Sequence, residues 1–335
     1  MSRYFVTGST GFIGGRVAQM LREAGHEVAT IVRDPAKTDS LRAAGVEVHR
    51  GDITDIDSMR GPMNGCDGVF HIAGWYKLGV RDPSEGERVN VRGTRTVLTL
   101  MRDLGIAKGV YSSTLAVHGD THGAEVDEDY EFSGPFDSVY DRTKWLAHRV
   151  AEEFIAAGLP LVIVQPGLVY GPGDTSSARA TLIQFLKREL PLVPAQAGYS
   201  WAHIDDIARG HLLAMERGRV GQSYHLAGPA STLVDALAVS SRLTGVQGPG
   251  FEAPWWLLRG LSVLMTPLAA VFPIEGQYHP EMLRVIAGAT YYGRSDKARA
   301  ELGWTARPLE EGLRETLGHE MKLLGMKSVE PGTES

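Results

Sequence analysis

The sequence predicts an α/β protein: a doubly wound parallel sheet followed by a smaller, mostly helical C-terminal region. Three observations predict it. Short apolar runs alternate with amphipathic helical stretches through the first half. A glycine-spaced turn, TGSTGFIGG at residues 7–15, joins the first apolar run to the first helical stretch. Beyond residue 229 the pattern becomes helical, punctuated by Pro254, Pro267, Pro273 and Pro280.

Taken in order, strands are expected at 4–7, 27–32, 46–50, 68–72, 109–113 and 161–165, with one more at 223–227. The first helix sets Ile13, Val17, Met20, Leu21 and Ala24 on one face and stops at Gly25. Further helices are expected at 36–44, 84–104 and 138–157. Residues 166–174, rich in Gly and Pro, read as a loop leaving the sheet, and residues 330–335 as a frayed tail. These elements place a dinucleotide-binding unit at 1–170, taking in 202–228, and a substrate-binding unit at 171–201 and 229–335.

The 335 residues, 43% hydrophobic and 22% charged, suffice for a substantial core. A net charge of −6 gives no electrostatic reason to expect nucleic acid. Cys66 is the single cysteine, so no internal disulfide forms, and the 11 histidines show no close-spaced metal motif. The N-terminus lacks a signal pattern and runs from Tyr4 straight into a strand, which predicts a cytoplasmic protein. The apolar stretch 253–273 contains Arg259 and is interrupted by Pro267. It reads as a buried or substrate-lining helical hairpin rather than a spanning helix, with a membrane-surface patch as the next reading.

The glycines at 8, 11 and 14 have distinct jobs in a phosphate loop. Gly8 makes the tight turn, Gly11 admits a pyrophosphate to the backbone, and Gly14 lets the helix pack close to the sheet. At the end of the second strand, IVRDPAK at 31–37 puts Arg33 where NAD-binding chains often carry an acid, with Lys37 a turn later. Both suit a 2′-phosphate, which favours NADP(H), although the adjacent Asp34 keeps NAD(H) open. In GDITD at 51–55, Asp55 or Thr54 can cap the next helix, which leaves Asp52 to meet the adenine. Residues 140–144 read YDRTK; alone, a tyrosine and lysine at i and i+4 are usually solvated surface.

With HIAG at 71–74, RVNVRGT at 88–94, YSST at 111–114, PGLVYGPGD at 166–174, WAHIDDIARGHL at 201–212 and SDKARAELGW at 295–304, these motifs occur in order along nearly the whole chain. The chain resembles the extended short-chain dehydrogenase/reductases, the NAD-dependent epimerase/dehydratase family. VRDPAK and RVNVRGT look closest to its dihydroflavonol 4-reductase-like branch, which includes hopanoid-associated sugar epimerase-like proteins. The resemblance implies a Rossmann-type fold of about seven parallel strands. It implies a catalytic Tyr140 and Lys144 with a strand-end hydroxyl, best matched by Thr114, with Ser112 and Ser113 as neighbours. It implies cofactor contacts from Gly8, Thr10, Gly11, Phe12, Ile13, Gly14, Asp52, Ile53, Ile72, Ala73, Gly74, Tyr140 and Lys144, and a nicotinamide wall at Pro166, Gly167 and Leu168. It also implies a homodimer through a four-helix bundle of segments 84–104 and 138–157.

Carbonyl reduction needs a hydride from the cofactor and a proton for the forming alkoxide. Tyr140 would supply the proton, Lys144 would lower its pKa and hold the cofactor ribose, and Thr114 would position the substrate oxygen. Trp75, Tyr76, Lys77 and His118 follow strand ends and read as packing or surface, with pocket wall as the alternative. His203, Asp205 and Asp206 read as a helix opening, and Asn90 as a backbone tie. The leading expectation is a reductase of a small-molecule ketone, or the reverse oxidation of a secondary alcohol. An epimerase with tightly held NAD is the first rival. A dehydratase lacks its extra acid pair after Thr114, and a non-catalytic nucleotide sensor would not need the acid/base residues.

Overall fold

The structure is a computed structural model describing residues 1–80, 82–272, 274 and 279–326. The main sheet is built from β1 (Arg3–Thr7), β2 (Glu27–Val32), β3 (Glu47–Arg50), β4 (Gly68–His71), β5 (Lys108–Ser112) and β6 (Leu161–Pro166). After β7 (Leu168–Tyr170), β8 (Val193–Pro194) and β9 (Gly198–His203), the chain returns to it with β10 (Ser223–Leu226). The order is β3-β2-β1-β4-β5-β6-β10, and every neighbouring pair is parallel.

Alternation along the strands divides the core between the two sheet faces. Phe5, Val69, Tyr111 and Ile163 pack under the helices Ile56–Met63, Thr94–Asp103 and Val139–Ala156. Val6, Phe70, Val110, Val162 and Val164 pack under Phe12–Glu23 and Ile204–Arg217. Both faces are therefore covered, as continuous apolar strands require.

The structure departs from expectation in five places. The expected helix 36–44 is a 3₁₀ turn, Pro35–Lys37, and a short helix, Asp39–Ala43, because Thr38 is non-helical at φ −127° with its hydroxyl donated to Pro35 O. The helix capped after GDITD runs over Ile56–Met63, an extent its pattern does not give because Gly61 and Pro62 dilute it. The 166–174 loop contains β7, which pairs with β9; with β11 (Ala230–Thr232) and β13 (Thr290–Tyr291) they form a second sheet. A two-stranded ribbon joins β8 to β12 (Glu252–Ala253). Finally, 253–273 is not a hairpin: the helix Trp255–Val271 runs through Pro267 and packs on the Pro280–Ile286 helix. Pro273 lies outside the described residues.

Candidate active site

The phosphate loop follows β1 directly. Gly8 takes φ +76°, and a Cβ there would stand 2.7 Å from Ala73 N. A Cβ on Gly14 would collide with Gly8 O, so the Phe12–Glu23 helix sits as close to the turn as the backbone allows. Gly11 is the N-cap, its N–H donating to Gly8 O at 2.9 Å. Thr10 is exposed, while Phe12 and Ile13 open the helix half-buried. The bare glycine backbone at a helix start leaves room and N–H donors for a pyrophosphate.

Thr7 couples this loop to the next strand end. Its hydroxyl oxygen accepts the N–H of Ile72 and of Ala73, both at 3.1 Å. The hydroxyl proton is then left for His71 Nδ1 at 2.9 Å, and His71 Nε2–H donates to Thr94 Oγ1 at 3.0 Å. Burial, helped by the nearby Lys144 charge, pushes the His71 imidazole down to about 3. Asn90 is the backbone tie expected of it, accepting from Trp75 N at 2.7 Å and donating to Trp75 O and Thr143 Oγ1. It sits where the helix widens to π geometry over Glu87–Gly93. Trp75 is buried against Gly86, whereas Tyr76 is exposed.

On the adenosine side, Asp55 caps the Ile56–Met63 helix, accepting from Asp57 N and Ser58 N. Asp52 Oδ1 accepts from Thr54 N and Thr54 Oγ1 at 2.9 and 2.7 Å. Burial raises the Asp52 pKa, but the Thr54 bonds and the Arg88 charge outweigh it and hold the carboxyl below its ordinary value. Ile53 is buried against Gly93. Arg33 reaches into solvent from the end of β2, 3.8 Å from Glu85, and Asp34 caps Ala36 N. The side chain of Lys37 lies outside the described residues.

Ser138 Oγ accepts Asp141 N at 3.0 Å and starts the Val139–Ala156 helix, placing Tyr140 in its first turn and Lys144 one turn on. The three candidate hydroxyls of 112–114 part company here. His211 donates Nδ1–H to Ile207 O, so its Nε2 accepts from Ser112 Oγ at 3.0 Å. Ser113 Oγ bonds His148 Nδ1 at 2.8 Å. Thr114 Oγ1 accepts Ala116 N at 3.2 Å and lies against the Tyr140 phenol, where it stabilises the phenolate.

One expectation is corrected. Lys144 does not lower the Tyr140 pKa in the protein chain itself. Its Nζ donates to Ser112 O at 2.9 Å and lies 5.1 Å from the Tyr111 ring centroid. Burial pushes Tyr140 up to about 12, against the pull of Thr114, and pushes Lys144 down to about 8. Lys144 Nζ nevertheless lies beside Gly74, 3.9 Å from where a Cβ would be, so it spans the two strand ends. Pro166 closes β6, and Gly167 passes so close to Ser200 O that no side chain fits, before Leu168 starts β7.

Sequence reasoning missed two groups beside the tyrosine. Tyr140 packs with Ala116, Ala289, Tyr199 and Tyr291. Tyr199 and Tyr291 stack with centroids 6.0 Å apart, and Tyr291 OH donates to Asp141 Oδ2 at 3.2 Å. Burial pushes Asp141 up to about 7. Glu281, also buried, accepts Val139 N at 2.6 Å and Gly79 N at 2.7 Å, tying the start of the tyrosine helix to the segment after β4. His118 is core rather than pocket wall. Its Nδ1–H donates to Tyr130 O, and its Nε2 meets His225 Nε2 at 2.9 Å. His203 caps the Ile204–Arg217 helix, Asp205 pairs with Arg16 and Asp206 with Arg307. Among the described residues no cluster of ligands could hold a metal ion.

The family model described as "NAD dependent epimerase/dehydratase family" matches residues 4–227. A dihydroflavonol 4-reductase-like protein of Synechocystis is 31% identical over 94% of this chain and 93% of its own. The 4-hydroxy-2-methyl-3-oxo-4-farnesyl-3,4-dihydroquinoline-1-oxide ketoreductase of Stigmatella aurantiaca is 29% identical over 91% of this chain and 92% of its own. The crystal structure of gox2253 superposes with a TM-score of 0.83 at 29% identity, covering 98% of this chain and 100% of that one.

Proposed function

Since the chain belongs to the NAD-dependent epimerase/dehydratase family, and is thereby an NAD(P)-dependent enzyme of the extended short-chain dehydrogenase/reductase type, we propose that it is an NADP(H)-dependent reductase of a ketone on a small organic molecule. The observation that carries the proposal is the Thr114–Tyr140–Lys144 arrangement: Thr114 lies against the Tyr140 phenol, and Lys144 Nζ sits one helical turn on, beside Gly74. The phenol carries its proton at neutral pH, as an ordinary tyrosine does, and so has one to give. Reductases among the relatives, the Stigmatella aurantiaca ketoreductase included, support the direction.

The cradle fits a dinucleotide: side chains at Gly8 and Gly14 would fill it. Gly8, Gly11 and Gly14 would hold the pyrophosphate, Asp52 the adenine and Arg33 a 2′-phosphate. Lys144, Gly74 and Gly167 would border the ribose and nicotinamide. A bound nicotinamide would supply the hydride. Thr114 then orients the carbonyl oxygen, and Tyr140 gives its proton to the oxygen as negative charge develops. Lys144, mostly charged below a pKa of about 8 and beside Gly74, would hold the cofactor ribose. In this reading cofactor binding falls to residues 1–170 with about 202–228, and substrate binding to 171–201 and 229–335.

Fluorescence titration with NADPH and NADH, after assaying the purified protein for retained nucleotide, tests this. Tighter NADPH binding by an initially empty protein, and a Tyr140→Phe variant that binds NADPH normally but reduces substrate at least about 100-fold more slowly, are expected. Tightly retained NAD would refute it in favour of an epimerase.

A further inference from the structure

Outside this site, the largest departure from ordinary surface chemistry is the outer face of the Trp255–Val271 helix. Its inner stripe, Leu258 and Ser262 with Leu261 and Met265, packs inward. Its outer stripe is apolar and bare: Trp256 is 61% exposed, Val263 72% and Leu264 65%, with Leu268 a turn further on and Phe272 beyond. Gly260 and Pro267 fall on the same stripe at helical spacing. A contiguous face of this kind marks a binding surface.

We infer that this face docks on the hydrocarbon boundary of an electrically neutral lipid surface. Three features favour lipid over a second protein. The stripe offers almost no side-chain donors or acceptors, whereas protein interfaces carry about one hydrogen bond per 100–200 Å². Arg259, the only charged residue of the helix, sits at the stripe's edge and pairs with Asp137 at 3.3 Å. Trp255 and Trp256 stand together at one end, the residue type that settles at the boundary of headgroup and acyl chain. Among the described residues no helix is long and apolar enough to cross a bilayer, and this one, of 17 residues, would lie in the surface. The net charge of −6 disfavours anionic lipid.

The position matters for the site. The helix packs on Pro280–Ile286, whose Glu281 holds the N–H preceding Tyr140. Resting on the proposed reductase reading, this makes the substrate a lipophilic ketone taken from the lipid phase.

The test is flotation of the full chain with phosphatidylcholine vesicles, wild type against a Val263→Glu/Leu264→Glu variant, with NADPH titrated into the same samples. Wild type is expected to float and the variant to bind at least tenfold more weakly, both binding NADPH equally. Absent flotation of the wild type, or equal flotation of the variant, overturns the docking. So does a wild-type dimer that the variant dissolves without any vesicle binding, which would make a second copy the occupant. Flotation without NADPH binding would sink the reductase reading and leave the docking standing.

Discussion

Acidification should unfold this protein at a pH set by buried imidazoles. His71, His118 and His211 are buried neutral, with burial pushing them down to about 3, 4 and 4. An unfolded histidine titrates near 6.5. Below that pH the unfolded chain takes up protons that the fold refuses until about pH 4, so stability falls as pH drops. Between pH 7 and 5 each imidazole costs about 2 kcal/mol, roughly 6 together. Asp141 acts the other way. Its carboxyl, raised to about 7, is protonated in the fold below that pH, so acidification returns about 2 kcal/mol. The three histidines outweigh Asp141 by about 4 kcal/mol, a large part of a typical 5–15 kcal/mol of stability, while Glu128, Asp137 and Asp174, raised by burial, act on the side of Asp141. His225, also pushed well down by burial, steepens the loss. Urea unfolding at pH 7, 6 and 5 should give a net uptake of about two protons near pH 5.5, or about 2.7 kcal/mol per pH unit. His118→Gln should cut that slope by about half. A flat profile would show that these imidazoles are not buried neutral, and the reasoning fails.

Two further outcomes test the site's scaffold. Gly14→Ala should weaken NADPH binding more than tenfold and destabilise by about 1–3 kcal/mol, because its methyl meets Gly8 O; Gly318→Ala, with open space around it, is the control and should be neutral or slightly stabilising. Glu281→Ala should cost roughly 2–4 kcal/mol by leaving two buried N–H groups unpaired, and Glu281→Gln less, with NADPH affinity kept in both. Urea midpoints and NADPH titrations decide these.

What the sequence made legible was local. The glycine loop follows from spacing between a strand and a helix, and capping chemistry assigns the cap to Asp55 or Thr54 rather than Asp52; the structure uses Asp55. Tyr140 and Lys144 lie one turn apart, so their shared face was readable, but what surrounds Lys144 was not. Its partner is the Ser112 carbonyl, 32 residues away, and burial rather than its charge dominates Tyr140. Glu281 carried no signal at all, because its partners lie 142 and 202 residues back along the chain. The second sheet was hidden for a related reason: β7, β11 and β13 are two or three residues long, too short for any periodicity to register. The exposed stripe of Trp255–Val271 had the composition of a core helix, and only tertiary packing separates the two.

That second sheet also has a consequence for how the molecule is made. Its four strands come from residues 168–170, 198–203, 230–232 and 290–291, so it cannot close until residue 291 has left the ribosome. The glycine turn and six strands of the main sheet, by contrast, are complete by Pro166. A nascent chain halted midway can thus form the nucleotide cradle while the wall that meets Tyr140 through Tyr199 and Tyr291 is still missing a strand. Emergence of Thr290 and Tyr291 is the moment at which the pocket gains its far side.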